Sequence, residues 1–253
     1  MTVLALFLAL LIGISLGLLG GGGSILAVPI LVYVAKVPAK EAIAMSLIVV
    51  GTTSLIGAMQ HWRARNIDVH AALVFGIISM IAAYGGGWLA RFISGSTQLI
   101  VFAVVMFTAA ISMLRSSSRA EPDTKPGRPA TGPLVAAGIG VGTLTGLIGV
   151  GGGFLIVPAL VLFAHLDIKR SLGTSLAVIA MNCVAAWLAY TTTTRPDIRF
   201  TALFTAMAIA GVFAGSALVS HVSKAALKRG FAVFLLAVAT MMLIANREAL
   251  GIL

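Results

Sequence analysis

The sequence is short of nearly everything a soluble enzyme uses. It has a single cysteine, Cys183, so no internal disulfide can form, and because that thiol sits inside an apolar run it reads as a small core residue. Charge is also scarce, at 9% of residues, against about 25% in soluble domains. No group of His, Cys, Asp and Glu has metal-ligand spacing, no Ser-His-Asp pattern offers a nucleophile, and no Walker-type loop is present. These absences leave no catalytic residue, metal or cofactor to expect, and they exclude direct ATP-driven transport by this chain alone. Acidic residues are the rarest charges, 7 against 17 basic ones, for a net charge of +10. A nucleic-acid binder gathers such an excess on one polar face. Here the basic residues stand one to three at a time between apolar runs, as in the loops of a polytopic membrane protein. With 60% hydrophobic residues and a mean hydropathy of +1.10, the chain belongs in a bilayer.

What is abundant is glycine, and its placement repeats. Gly13-I-S-L-Gly17-L-L-Gly20-Gly21-Gly22-Gly23-S-I-L-A-V-Pro29 returns as Gly142-T-L-T-Gly146-L-I-Gly149-V-Gly151-Gly152-Gly153-F-L-I-V-Pro158. The offset is 129 residues, 158 less 29, and it continues downstream without a gap, pairing Lys40 with Lys169, Ser46 with Ser175, Asp68 with Asp197 and Gly86 with Gly215. The chain is an internal duplication, with residues 1–114 as the first membrane repeat, 115–132 as a Pro-, Ser- and charge-rich flexible linker, and 133–253 as the second repeat. The apolar N-terminus lacks a signal peptide's basic start and A-x-A site, and its duplicate is internal, so it is expected to be retained.

Residues 2–35 are uncharged; as one helix they would be about 51 Å long, too much for a hydrocarbon core of roughly 30 Å. Each interior glycine costs a helix about 1 kcal/mol relative to alanine, which places the break at Gly20 to Gly23 and, by duplication, at Gly149 to Gly153. Three further spans follow each break: 42–60, 69–89 and 99–114 in the first half, then 172–190, 198–219 and 225–245. Asp68 and Asp197 read as helix caps rather than as coupling acids. The G-x-x-x-G spacings at Gly13/Gly17, Gly138/Gly142/Gly146 and Gly211/Gly215 predict close helix packing. The fold expected is therefore an all-α polytopic membrane protein of two homologous halves.

Basic residues arbitrate the orientation of the halves. If each broken element crosses the membrane, the two sides collect nine and eight Lys and Arg residues, which is no bias. If each is a helical hairpin, the halves are inverted. One side then holds Arg63, Arg65, the four of the linker, Lys169, Arg170, Lys224, Lys228 and Arg229, eleven against six. The count favours inverted repeats with the linker cytoplasmic and both termini outside.

Unwound backbone in hydrocarbon is tolerated only where it is buried in protein or lines a polar cavity. Paired broken helices, one per half and near the midplane, point to a transporter's substrate site. Successive free N–H groups at a restarting helix suit an anion, so a small inorganic or organic anion is the expected partner, beside lipid and without nucleic acid; a homo-oligomer is left open. The candidate binding residues are Gly20, Gly21, Gly22, Gly23, Ser24, Ser46, Thr52 and Thr53 in the first half. In the second half they are Gly149, Gly151, Gly152, Gly153, Thr174, Ser175 and Asn182. The plainer alternatives are glycines that only allow tight packing and hydroxyls that bond back to their own helices.

The duplicated G-x-x-x-G-x-x-G-x-G-G-x-x-x-x-x-P, followed at Lys169 to Leu176 by K-R-S-L-G-T-S-L, resembles the TauE/SafE (TSUP) family of membrane permeases. The resemblance covers the chain apart from the linker. It implies a carrier in the bacterial inner membrane for sulfur-containing anions such as sulfite, thiosulfate or sulfonates. The first copy departs from the pattern, with Ala44-Met45-Ser46 against Gly173-Thr174-Ser175 and Ser24 against Gly153. An anion channel, or a proton-coupled carrier of a carboxylate, are the alternative functions.

Overall fold

The computed structural model describes residues 2–116, 131–149, 152–191, 194, 196–218 and 224–246. The described residues are helical apart from short connections, with no strand among them. α1 spans Thr2–Leu19, continues as a 3-10 segment Gly20–Leu26, a short α2 at Ala27–Pro29 and a π turn at Ile30–Val34. α3 (Ala39–Arg63), α4 (Val69–Ala90) and α5 (Gly95–Ser116) complete the first half. The second half runs α6 (Thr131–Ile148), α7 (Gly153–Phe163), α8 (Ile168–Tyr190), α9 (Ile198–Leu218) and α10 (Lys224–Ala245). The expected linker lies outside the described residues except at its ends, where Arg115 and Ser116 close α5 and Thr131 and Gly132 open α6.

Among the described residues, five helices are long and apolar enough to cross a membrane: Ala39–Arg63, Val69–Ala90, Gly95–Ser112, Lys169–Tyr190 and Ile198–Gly215. Large apolar side chains such as Leu55, Ile81, Phe92 and Ile198 are exposed on the outer faces, as a lipid solvent requires. Both predicted caps form: Asp68 accepts from the Ala71 amide at 2.9 Å, and Asp197 from Arg199 and Phe200. At the end of α4, the Arg91 guanidinium lies 4.2 Å from the Trp88 ring centroid, an aromatic-basic pair suited to a headgroup zone.

Packing repeats the duplication. α1 lies along α9 and α6 lies along α4, which are equivalent pairs, while α3 packs on its own counterpart α8 and α5 on α10. Glycine makes these contacts possible. A Cβ on Gly142 or Gly146 would collide with the Ser79 or Ala83 carbonyl of α4, and one on Gly211 or Gly215 with the Leu10 or Ile14 carbonyl of α1. Because Gly142 meets Ser79 and Gly146 meets Ala83, α4 and α6 run in the same direction. α1 and α9 do likewise, with Gly211 beside Leu10 and Gly215 beside Ile14. α3 and α8 run oppositely, since Gly51 meets Cys183 and Gly57 meets Leu176.

Candidate functional site

The second glycine turn is the better defined. α6 ends at Ile148, and Gly149 still donates its N–H to the Thr145 carbonyl at 2.9 Å. The chain then turns through left-handed backbone at Gly149 (φ 73°) and Gly152 (φ 64°), a region that side-chain-bearing residues enter only at a cost. The Gly152 carbonyl accepts from Leu155 and Ile156, which starts α7. Gly149 presses on Ile43 of α3, and the Ser46 hydroxyl lies 2.6 Å from the Gly149 carbonyl and 2.7 Å from that of Ile43, sharing its one proton between them. Ser46 and Gly149, each a candidate from the sequence, are thus brought together across the halves by the fold.

The first turn takes another form. Gly20, Gly21, Gly22, Gly23 and Ser24 all lie in the 3-10 segment, which touches α7 and α8. Gly23 is buried against the backbone of Ser15 and Leu16, so the chain folds back onto α1. Ser24 is fully buried, Gly153 opens α7, and Gly151 lies outside the described residues.

α1 and α6 give way to their turns at opposite ends of the bundle. Gly146 already lies beside Gly87, near the end of α4, and Ile14 lies beside Gly215, near the end of α9. Gly149 therefore leaves α6 beyond these contacts, but Gly152 has folded back beside Val141 and Thr145, and Gly23 beside Ser15 and Leu16, so the two turns enter the bundle from opposite ends. α1 and α6 are each 18 residues, about 27 Å, before the chain folds back.

Between the turns lies a belt of buried polar groups on the central helices. The Ser79 hydroxyl of α4 donates to Asn182 Oδ1 at 2.8 Å. Asn182 Nδ2 and Ser54 Oγ are buried and have no hydrogen-bond partner. Ser54 faces the α8 level between Leu176 and Cys183, within about one turn of Asn182. The remaining candidates are engaged locally. Thr53 bonds back to Val49 and Val50, Ser175 to Leu172, and Thr174 accepts from the Asp68 amide at 3.0 Å, beside the α4 cap; Thr52 is half-buried. Ser79 and the pair Gln98 and Tyr190 escaped sequence reading. Gln98 Nε2 donates to the Leu147 carbonyl and to Tyr190 Oη, both at 2.9 Å, and Tyr190 donates to the same carbonyl at 3.2 Å. A lone glutamine near a helix start and a tyrosine at a helix end look interfacial in sequence; only their shared partner reveals them.

Among the described residues no group of three or more His, Cys, Asp or Glu could hold a metal ion. What the belt offers is neutral polar groups in a buried setting, where a hydrogen bond is stronger than in water and an unpaired group is costly.

The sequence model of the family described as Sulfite exporter TauE/SafE matches residues 5–242. The chain is 31% identical over 235 residues to a probable membrane transporter protein of Xylella fastidiosa, covering 90% of each. It is 30% identical over 200 residues to a probable membrane transporter protein of Methanocaldococcus jannaschii, covering 75% of this chain and 74% of that one. A Bacillus subtilis probable membrane transporter protein is 27% identical over 229 residues. No solved structure matches.

Proposed function

Since the chain belongs to the TauE/SafE sulfite exporter family of membrane transporters, we propose that it is a secondary carrier of small sulfur-containing anions such as sulfite, thiosulfate or sulfonates. The observation that carries the reading is the pair of buried, unpartnered polar atoms, Asn182 Nδ2 and Ser54 Oγ, on helices between two glycine turns. A guest anion would supply the acceptor that Asn182 Nδ2 lacks. The glycine turns, with Ser24 and Ser46 beside them, then serve as the approaches on either side of this belt, and Ser79 holds the Asn182 amide in place.

In the same reading the halves are inverted repeats and each broken element is a hairpin. The opposed directions of α3 and α8, which are equivalent by the 129-residue offset, support it. The basic excess near the end of α3 and the start of α8 makes that end cytoplasmic, in a bacterial inner membrane. The Gly149 turn then faces outward and the Gly20 turn inward.

The spans carry no acidic residue at mid-depth to relay a proton. An anion leaving a negative-inside cell gains about 2.3 kcal/mol per charge per 100 mV, which is drive enough for export. Purified protein in liposomes should move labelled sulfite or a sulfonate saturably, at a rate that follows an imposed voltage and ignores a pH gradient. Flux that requires the pH gradient would establish proton coupling instead, and unsaturable flux a channel.

A further inference from the structure

We propose that Gln98 and Tyr190 are positioning residues that latch the Gly149 turn shut, and that the Gly20 turn lacks this latch, so the carrier rests closed at its outer end. The proposal builds on the carrier reading above. In an unbroken helix the Leu147 carbonyl would accept from the amide four residues later. α6 ends at Ile148 and the chain turns through left-handed backbone at Gly149, which puts the Leu147 carbonyl among those of a helix end that take partners from elsewhere. A buried carbonyl must be paired elsewhere. It accepts from Gln98 Nε2 at 2.9 Å and from Tyr190 Oη at 3.2 Å, while the second Gln98 N–H reaches Tyr190 Oη at 2.9 Å. Gln98 stands in the first turn of α5, in the first half, and Tyr190 is the last residue of α8, in the second. One closed triangle of hydrogen bonds therefore ties both halves to the end of α6, two residues before the turn.

The triangle also contains its own release. A carbonyl cannot donate, so the bond to Leu147 fixes which end of the Gln98 amide is nitrogen. The other end, Oε1, is buried without a partner, in a residue only 2% exposed. An unmet acceptor is costly where it is and is satisfied once water enters, so opening the turn recovers part of what the three bonds hold. The side chains of this triangle are not duplicated at the equivalent positions of the other half. By the 129-residue offset, Gln98 corresponds to Leu227, Tyr190 to His61 and Leu147 to Leu18. Leucine has no polar group with which to close a triangle.

Side-specific thiol labelling tests this. Ile43, which packs under Gly149, and Leu172, its equivalent by the offset, are each replaced by cysteine in a Cys183→Ser background. A membrane-impermeant maleimide is then added from either side of oriented vesicles. Gln98→Leu should speed labelling of the Ile43→Cys protein from the outer side about tenfold, what the loss of one or two net hydrogen bonds does to an equilibrium, and should slow labelling of the Leu172→Cys protein from the inner side. Tyr190→Phe, which removes one hydroxyl and little volume, should act in the same direction about threefold, and it keeps the test decisive if Gln98→Leu does not fold. Unchanged labelling at Ile43→Cys in a folded protein, or equal acceleration at both cysteines, would overturn the latch. Labelling needs no substrate, so that failure would leave the carrier reading standing, while the expected labelling pattern without anion flux would count against the carrier reading alone.

Discussion

The Gly149 turn reverses the chain through two left-handed glycines, whereas the Gly20 turn passes through right-handed 3-10 and α segments and then, past Pro29, a π turn at Ile30–Val34. The first copy has four consecutive glycines and the second has Val150 in place of one of them. The copy with the unbroken glycine run is thus the one that keeps helical backbone, and the copy with the valine makes the abrupt reversal. Duplication has preserved where the chain breaks but not how. The surroundings differ in the same sense: the second turn is tied by Ser46, Gln98 and Tyr190, and the first packs on α7, α8 and its own helix α1.

The largest effect should separate these two forms directly. Gly149→Ala forces a side chain into φ 73° and against Ile43, and should cost about 3 kcal/mol or more, seen as a lowered melting temperature in detergent and reduced yield of monodisperse protein. Gly20→Ala, in 3-10 backbone, should change stability by under ~1 kcal/mol. Equal losses would erase the distinction between the turns.

Next in size is the asymmetry of the binding belt. Asn182→Leu should lower anion flux at least about tenfold by removing an unpaired buried donor. Thr53→Val, at the equivalent position of the first half, should leave flux within about twofold, because that hydroxyl already bonds its own helix. A larger loss at Thr53 would make the belt symmetric.

Smaller still is the role of the two caps. Asp68→Asn and Asp197→Asn should each leave flux unchanged and alter stability by about 0.5 kcal/mol or less, since asparagine caps as well as aspartate. Loss of transport in either with the fold intact would turn a cap into a coupling acid. The smallest effect is a gain: Gly140→Ala, where an added Cβ meets open space, should stabilise α6 by up to ~1 kcal/mol, while Gly142→Ala on the same helix should destabilise it by collision with Ser79.

Much of this architecture can be read before any coordinates. The helix breaks, the caps at Asp68 and Asp197 and the close glycine contacts follow from local chemistry: backbone cost, orphan amides and the missing Cβ. Depth does not. An uncharged run from residue 2 to 35 announces that it must break, but no charge along it marks how far α1 runs before the chain folds back. Hydroxyls are ambiguous for a similar reason, since Thr53 and Asn182 occupy equivalent positions and only tertiary contacts distinguish a self-bonded group from an unpaired one. Gln98 is harder still, because its partner is a backbone carbonyl whose availability depends on a turn 51 residues away, 149 less 98.

The claim on which the rest depends is that neutral donors in the middle of the bundle hold the anion. Calorimetric titration of the purified protein with sulfite and a short sulfonate, in wild type and in Asn182→Leu, measures it. The account predicts saturable binding of at least one of these anions to wild type and its loss in a variant that still melts cooperatively. Equal affinity in both proteins would contradict it.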